Sequence, residues 1–310
     1  MSAETSKSSH ENVGEWLLSQ NRFEKNKKTL PFQSAKRLKG TKSISLTSGK
    51  GGVGKTSVAL KMAKMLADGG YRVLLLDCDF NLSNTSLKLG APLNDSFEYY
   101  LKGEKKFEEC LHCSGNFHLL SASNGNIELF EKQSDFSRDV IDLLVKHESF
   151  YDFVIMDSPA GLSRETLTLN AYCDYRFVVV TPDKSSITDS YSLMKILNTK
   201  YGINQNHLLL NKISSKRQYQ RIVRSMSETV ENFLNCRLQI LGGLHYEELA
   251  VDEFDKFLMG EENSALHHSF FKVLGHFTEE IVESLAPGLS ESFQGTTKAN
   301  LGQDVQLSHA

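Results

Sequence analysis

The chain has 310 residues, is 40% hydrophobic and 24% charged, and carries a formal net charge of −3. That is room for one large α/β domain with tails rather than two independent domains, and so small a net charge supplies no global field to draw the chain to nucleic acid or anionic lipid. The 5 scattered cysteines do not make a disulfide framework, Met1 to His10 lacks the apolar core of a secretory signal, and no run of about 18 apolar residues occurs, so the expectation is a cytoplasmic protein with no membrane-spanning helix.

Residues 1–10 read as disordered. Val13, Trp16 and Leu17 then recur at helical spacing, a short amphipathic helix either docked on its own domain or offered to a partner. From Arg22 to Lys42 basic residues face Glu24 alone, with Pro31 and Gly40 between them. This reads as a solvated linker, with acidic lipid or RNA as alternative neighbours. The expected division is a tail over 1–41, a globular domain over 42–286 and a disordered polar tail over 287–310.

Ile44-Ser45-Leu46 alternates like a strand, and Val58, Ala59, Met62, Met65 and Leu66 mark a helical face. Between them lies Ser48-Gly49-Lys50-Gly51-Gly52-Val53-Gly54-Lys55-Thr56-Ser57, which satisfies the G-x-x-x-x-G-K-[ST] phosphate-loop pattern. Glycines let backbone N–H groups turn inward on an anion, and the following helix aims its positive end at the same point. Lys55 is expected at the terminal phosphates and Thr56 on a magnesium ion, so ATP and Mg2+ are the expected ligands.

Arg72 to Asp79 holds a continuous apolar run ended by acids, a strand buried on both faces, and it delivers Asp77 and Asp79 to the ligand edge of an open sheet. Asn81 to Asn84 continues as a candidate phosphate-sensing loop. Cys110 and Cys113 form a lone C-x-x-C, read as ordinary packing with a shared metal as the alternative. Phe117 to Ser121 is a short strand and 126–147 is helical. Phe153 to Asp157 is a second buried strand closed by an acid that can hold a magnesium-bound water, and Gly161 beyond it lets backbone approach the γ-phosphate. Tyr175 to Val180 is a further strand, and Asp183 is placed to cap the next helix. His207 to Asn211 ends in an amide able to pair with adenine. A helix bearing Lys216, Arg217, Arg221 and Arg224 is read as a surface helix, with a DNA or partner face as the alternative. Leu238 to Leu244 is the last strand, and Phe270, Leu274, Phe277, Ile281 and Leu285 stripe the last helix. Strands alternating with helices throughout indicate one doubly wound, mostly parallel sheet.

With Lys50 inside the loop, Ser48 to Thr56 resembles the deviant phosphate loop of the MinD/ParA family of ATPases, as do Leu74 to Asp79 and Met156 to Gly161. Ile187 to Lys195 resembles the FlhG (FleN, YlxH) group within it, regulators of flagellar number and placement. The resemblance implies a slow, ATP-switched sandwich homodimer at a cell pole or peripherally on the membrane. Its partners would be an FlhF-like GTPase or a flagellar basal-body regulator. It implies that Lys50 crosses to the phosphates of the other subunit, that Asp79 orients the attacking water and that Asp77 supports the switch. It also implies that Asp157 anchors magnesium through water and that Asn211 reads adenine. Glu11 to Leu18 departs from the Asp-Gln-Ala segment by which FlhG proteins stimulate FlhF. Lys272, followed by Glu279, Glu280 and Glu283, departs from the cationic face of a membrane-surface helix. The other classes implied are a ParA-like DNA-binding partition ATPase, against which the net charge argues, and a metal-cluster carrier.

Overall fold

The alternation in Lys42–Thr47 positions everything else. This strand, β1, turns Ile44 and Leu46 to one face of a sheet and Ser43, Ser45 and Thr47 to the other, all buried. Buried hydroxyls need partners. Ser43 N and Oγ both donate to Asp174 Oδ2, at 2.9 and 2.8 Å, and Asn170 Nδ2 donates to Thr47 Oγ1 at 2.8 Å. A half-polar strand can therefore sit at the centre of a sheet.

The computed structural model describes residues 40–79, 85–89, 96–121, 136–260 and 264–285. After β1 come α1 (Lys55–Asp68), β2 (Val73–Asp77), α2 (Thr85–Lys88), α3 (Ser96–Leu101), β3 (His112–Ser114), β4 (Phe117–Leu120), α4 (Phe136–His147) and β5 (Phe153–Asp157). The chain continues through α5 (Arg164–Tyr172), β6 (Tyr175–Val180), α6 (Lys184–Tyr201), β7 (Gln205–Ile213), α7 (Lys216–Leu234), β8 (Arg237–His245), α8 (Val251–Gly260) and α9 (Ala265–Leu285). The strands order as β3-β4-β2-β5-β1-β6-β7-β8, with every neighbouring pair parallel except β3 against β4. β1 thus lies between β5 and β6, where the chain's path across the sheet reverses, the position at which such sheets bind ligands.

Helices cover both faces. Ile44, Leu46, Leu75, Ile155 and Val179 pack with α1, α8 and α9. On the opposite face Leu76, Leu120 and Met156 meet α4, and Val178, Val180, Leu208 and Leu210 meet α6 and α7. The stripe on α9 is spent on this core: Phe270, Leu274, Phe277 and Ile281 are buried. The Nζ of Lys272, the helix's only lysine or arginine, is itself buried. A membrane-surface helix would need the reverse arrangement, and among the described residues no helix is long and apolar enough to cross a membrane.

The described strands fall where the apolar runs place them. The sequence does not announce β3, which carries an exposed Cys113, while Cys110 is buried just before it. Among the described residues no cluster of three or more His, Cys, Asp or Glu could hold a metal ion. The helix expected over 126–147 is described from Phe136. The N-terminal helix, its linker, the loop from Asn81 to Asn84 and the C-terminal tail lie outside the described residues.

Phe277 on α9 meets the rings of Phe177 and Tyr175 edge-on, with centroids 4.8 and 4.9 Å away. Phe277→Ala should cost about 3–5 kcal/mol of stability, read as a lower urea midpoint. An unchanged midpoint would mean that α9 is not seated on the sheet.

Candidate nucleotide site

The loop after β1 is shaped by three glycines with distinct jobs. Gly52 and Gly54 take φ values of +76° and +93°, a region that side chains rarely adopt. Gly54 is also the N-cap of α1 and offers no side chain to its first turn, so those N–H groups stay open to an anion. Gly49 is needed for proximity: a Cβ there would lie 2.1 Å from the carbonyl carbon of Asp189 and 2.6 Å from Ser190 N, so the loop rests directly on the backbone of α6. By contrast, a Cβ on Gly51 would meet nothing nearer than Ala160 Cβ at 4.0 Å.

Ser48 ties the loop internally. Its Oγ donates to Lys50 O at 2.6 Å and accepts from Lys55 Nζ at 3.0 Å. Gly161, at φ +98°, donates its N–H to Ser48 O at 3.0 Å, bringing the segment after β5 against the loop. Val53 is buried and Ser57 lies in the first turn of α1.

The strand-end acids converge on the same place. Asp77 and Asp157 stand opposite each other in the β2–β5 register. Cys78 N donates to Asp157 O at 3.0 Å, and Asp79 N to Asp77 Oδ1 at 3.0 Å. Burial first, then the charge of Asp77, pushes the Asp157 carboxyl up to about 7, while a hydrogen bond from Thr56 and the charge of Lys55 pull the other way. Burial lowers the Lys55 ammonium, opposed by Asp157 and Asp79. Asp157 Oδ1 is buried without a hydrogen-bond partner. An orphaned carboxylate oxygen beside the Thr56 hydroxyl fits magnesium, a hard cation that takes oxygen ligands and keeps several of its waters.

Two expected site residues are engaged elsewhere. Lys50 Nζ lies outside its own loop, 3.1 Å from Asp183 Oδ1 and 2.8 Å from Ser185 Oγ. Asp183 caps α6 as expected, accepting from Ser186 N at 2.9 Å. It also takes Thr181 Oγ1 at 2.7 Å, and these bonds hold its carboxyl well below the usual range. Asn211 Nδ2 donates to Val53 O at 2.8 Å, and its Oδ1 accepts from Lys212 N at 2.8 Å. One N–H and one lone pair of that amide remain. Neither Ser185 as a seat for Lys50 nor Lys212 beside the loop carries a sequence signal. Both are products of tertiary packing.

A phosphate loop on the central strand, flanked by two strand-end acids at the carboxyl edge of a doubly wound sheet, defines a P-loop nucleoside triphosphatase. The AAA domain model matches residues 41–210, and the chain belongs to that family as an ATPase of the MinD/ParA type. It is 30% identical over 217 residues to the flagellum site-determining protein YlxH of Helicobacter pylori, covering 67% of this chain and 71% of that one. It is 28% identical over 206 residues to the antiactivator FleN of Pseudomonas aeruginosa, covering 66% and 74%. Among solved structures it is similar in fold to MinD of Pyrococcus horikoshii complexed with Mg-ADP, with a TM-score of 0.61, 24% identity and coverage of 76% of this chain and 96% of that one.

Gly49→Ala should abolish nucleotide binding by lifting the loop off α6, whereas Gly51→Ala should bind within about threefold of the parent, since roughly 0.6 kcal/mol or less is at stake without a clash. Calorimetric titration with ATP·Mg2+ reads both.

The raised Asp157 carboxyl fixes a pH dependence. Its folded pKa lies above the unfolded one, so the empty native state binds more protons than the unfolded chain between about 4 and about 7. Stability of the nucleotide-free protein should therefore fall as pH rises through that window. Magnesium favours the carboxylate, so ATP·Mg2+ binding near pH 6.5 should release protons, seen as a heat that varies with buffer ionisation enthalpy and is lost in Asp157→Asn.

Proposed function

We propose that the chain is an ATP-operated switch that closes into a sandwich homodimer and sets the number or placement of flagella. The observation that carries the reading is the position of Lys50. It is exposed and rests on a two-acceptor seat of Asp183 and Ser185 instead of on a group of its own loop. A surface ion pair of this kind is weak, so the ammonium is available to the phosphates of a second copy. Ser48 keeps Lys55, by contrast, inside the loop.

In this mechanism the backbone N–H groups of Gly51 to Thr56 bind the phosphates. Lys55 in cis and Lys50 in trans neutralise the charge that develops on the transferred group. Asp79 orients the attacking water, and Asp77 holds the Asp79 N–H through its own carboxylate. Thr56 and, through water, Asp157 would hold magnesium, which would supply further charge neutralisation. Loss of the γ-phosphate removes what Lys50 reaches for and returns it to Asp183. The flagellar assignment is supported by the names of the relatives, a flagellum site-determining protein and an antiactivator. A flagellar partner of FlhF-like or basal-body type is what the resemblance to the FlhG group implies, and MinD of Aquifex aeolicus has been solved with MinC. A ParA-like DNA-binding role is the second reading, favoured by the exposed Arg217, Arg221 and Arg224 on α7, although Arg224 is already bonded to Glu228 at 2.8 Å. Salt-sensitive retention on DNA with ATP would favour it.

Light scattering on Asp79→Ala should give a doubled molar mass with ATP·Mg2+ and a monomer with ADP, and Lys50→Ala should remain monomeric in both. In the Asp183→Asn background the doubling should appear at lower ATP, because the seat that competes for Lys50 is weakened. A monomer in every condition would sink the dimer model.

A further inference from the structure

We infer that Lys88 and Asp255 form a strut between α2 and α8, and that both are positioning residues for Asp79, acting on hydrolysis without touching the nucleotide. The inference rests on the reading of Asp79 as the residue that orients the attacking water.

Asp79 leaves the sheet at the end of β2, where its N–H donates to Asp77 Oδ1 at 3.0 Å. Residues 80–84 join it to α2, which is four residues long. A single helical turn does not hold itself in water, because nucleation fixes several residues for one hydrogen bond. The place of α2 must therefore come from tertiary contacts. Thr85 and Ser86 are buried. Leu89, just beyond the helix, packs against the core cluster built on α1, as do Phe254 and Phe257 of α8. Lys88 Nζ then donates to both carboxylate oxygens of Asp255 on α8, at 2.6 and 2.9 Å.

This pair is unlike the seat of Lys50. Its side chains are 19% and 18% exposed, against 43% and 45% for Lys50 and Asp183. An exposed pair contributes little because water competes for it, whereas losing one partner of a largely buried pair leaves an uncompensated charge. Apolar burial is non-directional and would tolerate α2 at several positions along α8. The two-oxygen contact selects one of them. The helix α8 in turn follows β8, where Tyr246 N donates to Ile213 O at 3.1 Å, and Phe254 N donates to Ala250 O at 2.7 Å at its start. Asp79 is thus held from the sheet on one side and, through α2, from an element continuous with β8 on the other. Neither Lys88 nor Asp255 belongs to the phosphate loop or to the strand-end acids. Cutting the strut should therefore spare nucleotide binding and disturb the hydrolytic step.

The test is steady-state ATP hydrolysis by the full chain, at a protein concentration above which the rate per chain no longer rises. Lys88→Met should lower kcat about tenfold, within the roughly hundredfold that a slight misplacement of a reacting group can cost, and leave the KM for ATP·Mg2+ unchanged. Asp255→Leu should do the same. The double variant should be no slower than either single one, as for two residues acting as a unit. The exchanged pair, Lys88→Asp with Asp255→Lys, should recover most of kcat. If Lys88→Met does not fold, as judged by circular dichroism, Lys88→Gln takes its place with a smaller loss expected. A lowered urea midpoint with parental kcat would mean a merely structural pair and overturn the inference. A raised KM with parental kcat, additive losses in the double variant, or no recovery in the exchanged pair would overturn it as well. Asp79→Ala separates the two readings. If it hydrolyses ATP at the parental rate, the reading of Asp79 fails and the inference with it; if it is inactive while Lys88→Met keeps the parental kcat, only the strut fails.

Discussion

The phosphate loop rests on helix α6 through a contact that leaves no room for a Cβ. Gly49 lies so close to the carbonyl of Asp189 that the first glycine of the motif is fixed by packing before any ligand is considered. The same helix begins at Asp183, whose carboxylate caps it and also receives Lys50. One element therefore supports the loop and also receives its first lysine. A shift of α6 relative to β1 would move both together, which gives the structure a mechanical route from the state of Lys50 to the loop and back. Coupling of this sort needs only a packed contact with two arrangements of a side chain at one end.

What was legible in the sequence was whatever depends on local pattern. Val73–Asp77 and Phe153–Asp157 announce themselves because a strand buried on both faces must be apolar throughout, and an acid at its end marks the ligand edge. The loop was legible because the glycine spacing and the Lys-Thr pair are needed together. The helix α9 was legible as an amphipathic stripe, and its fate as core rather than membrane face was foreshadowed by its single lysine. The short exposed β3 was not legible, since its three residues have no periodicity to read and gain their order only by pairing with β4. Nor was the seat of Lys50, because Asp183 and Ser185 lie more than a hundred residues away and meet it only through the parallel crossover. The alternation of β1 does not by itself say where its hydroxyl face lies. The structure buries it and satisfies Ser43 and Thr47 with Asp174 and Asn170 from beyond α5 and within it.

The charges at the strand ends explain why this site is incomplete without a ligand. Asp79 and Asp157 act on the half-buried Lys55, and Asp77 acts on Asp157, so the cluster carries more negative than positive charge. Burial, and then the charge of Asp77, disfavours the ionised form of Asp157. Asp157 Oδ1 nevertheless remains without a partner, a cost that hydrophobic packing around it does not offset. A divalent cation with its waters removes both penalties at once, because it neutralises the excess charge and supplies the missing partner. The N–H groups and lysine of the loop would receive the compensating negative charge of a nucleotide's phosphates. A ligand that binds only the native state in this way also stabilises it.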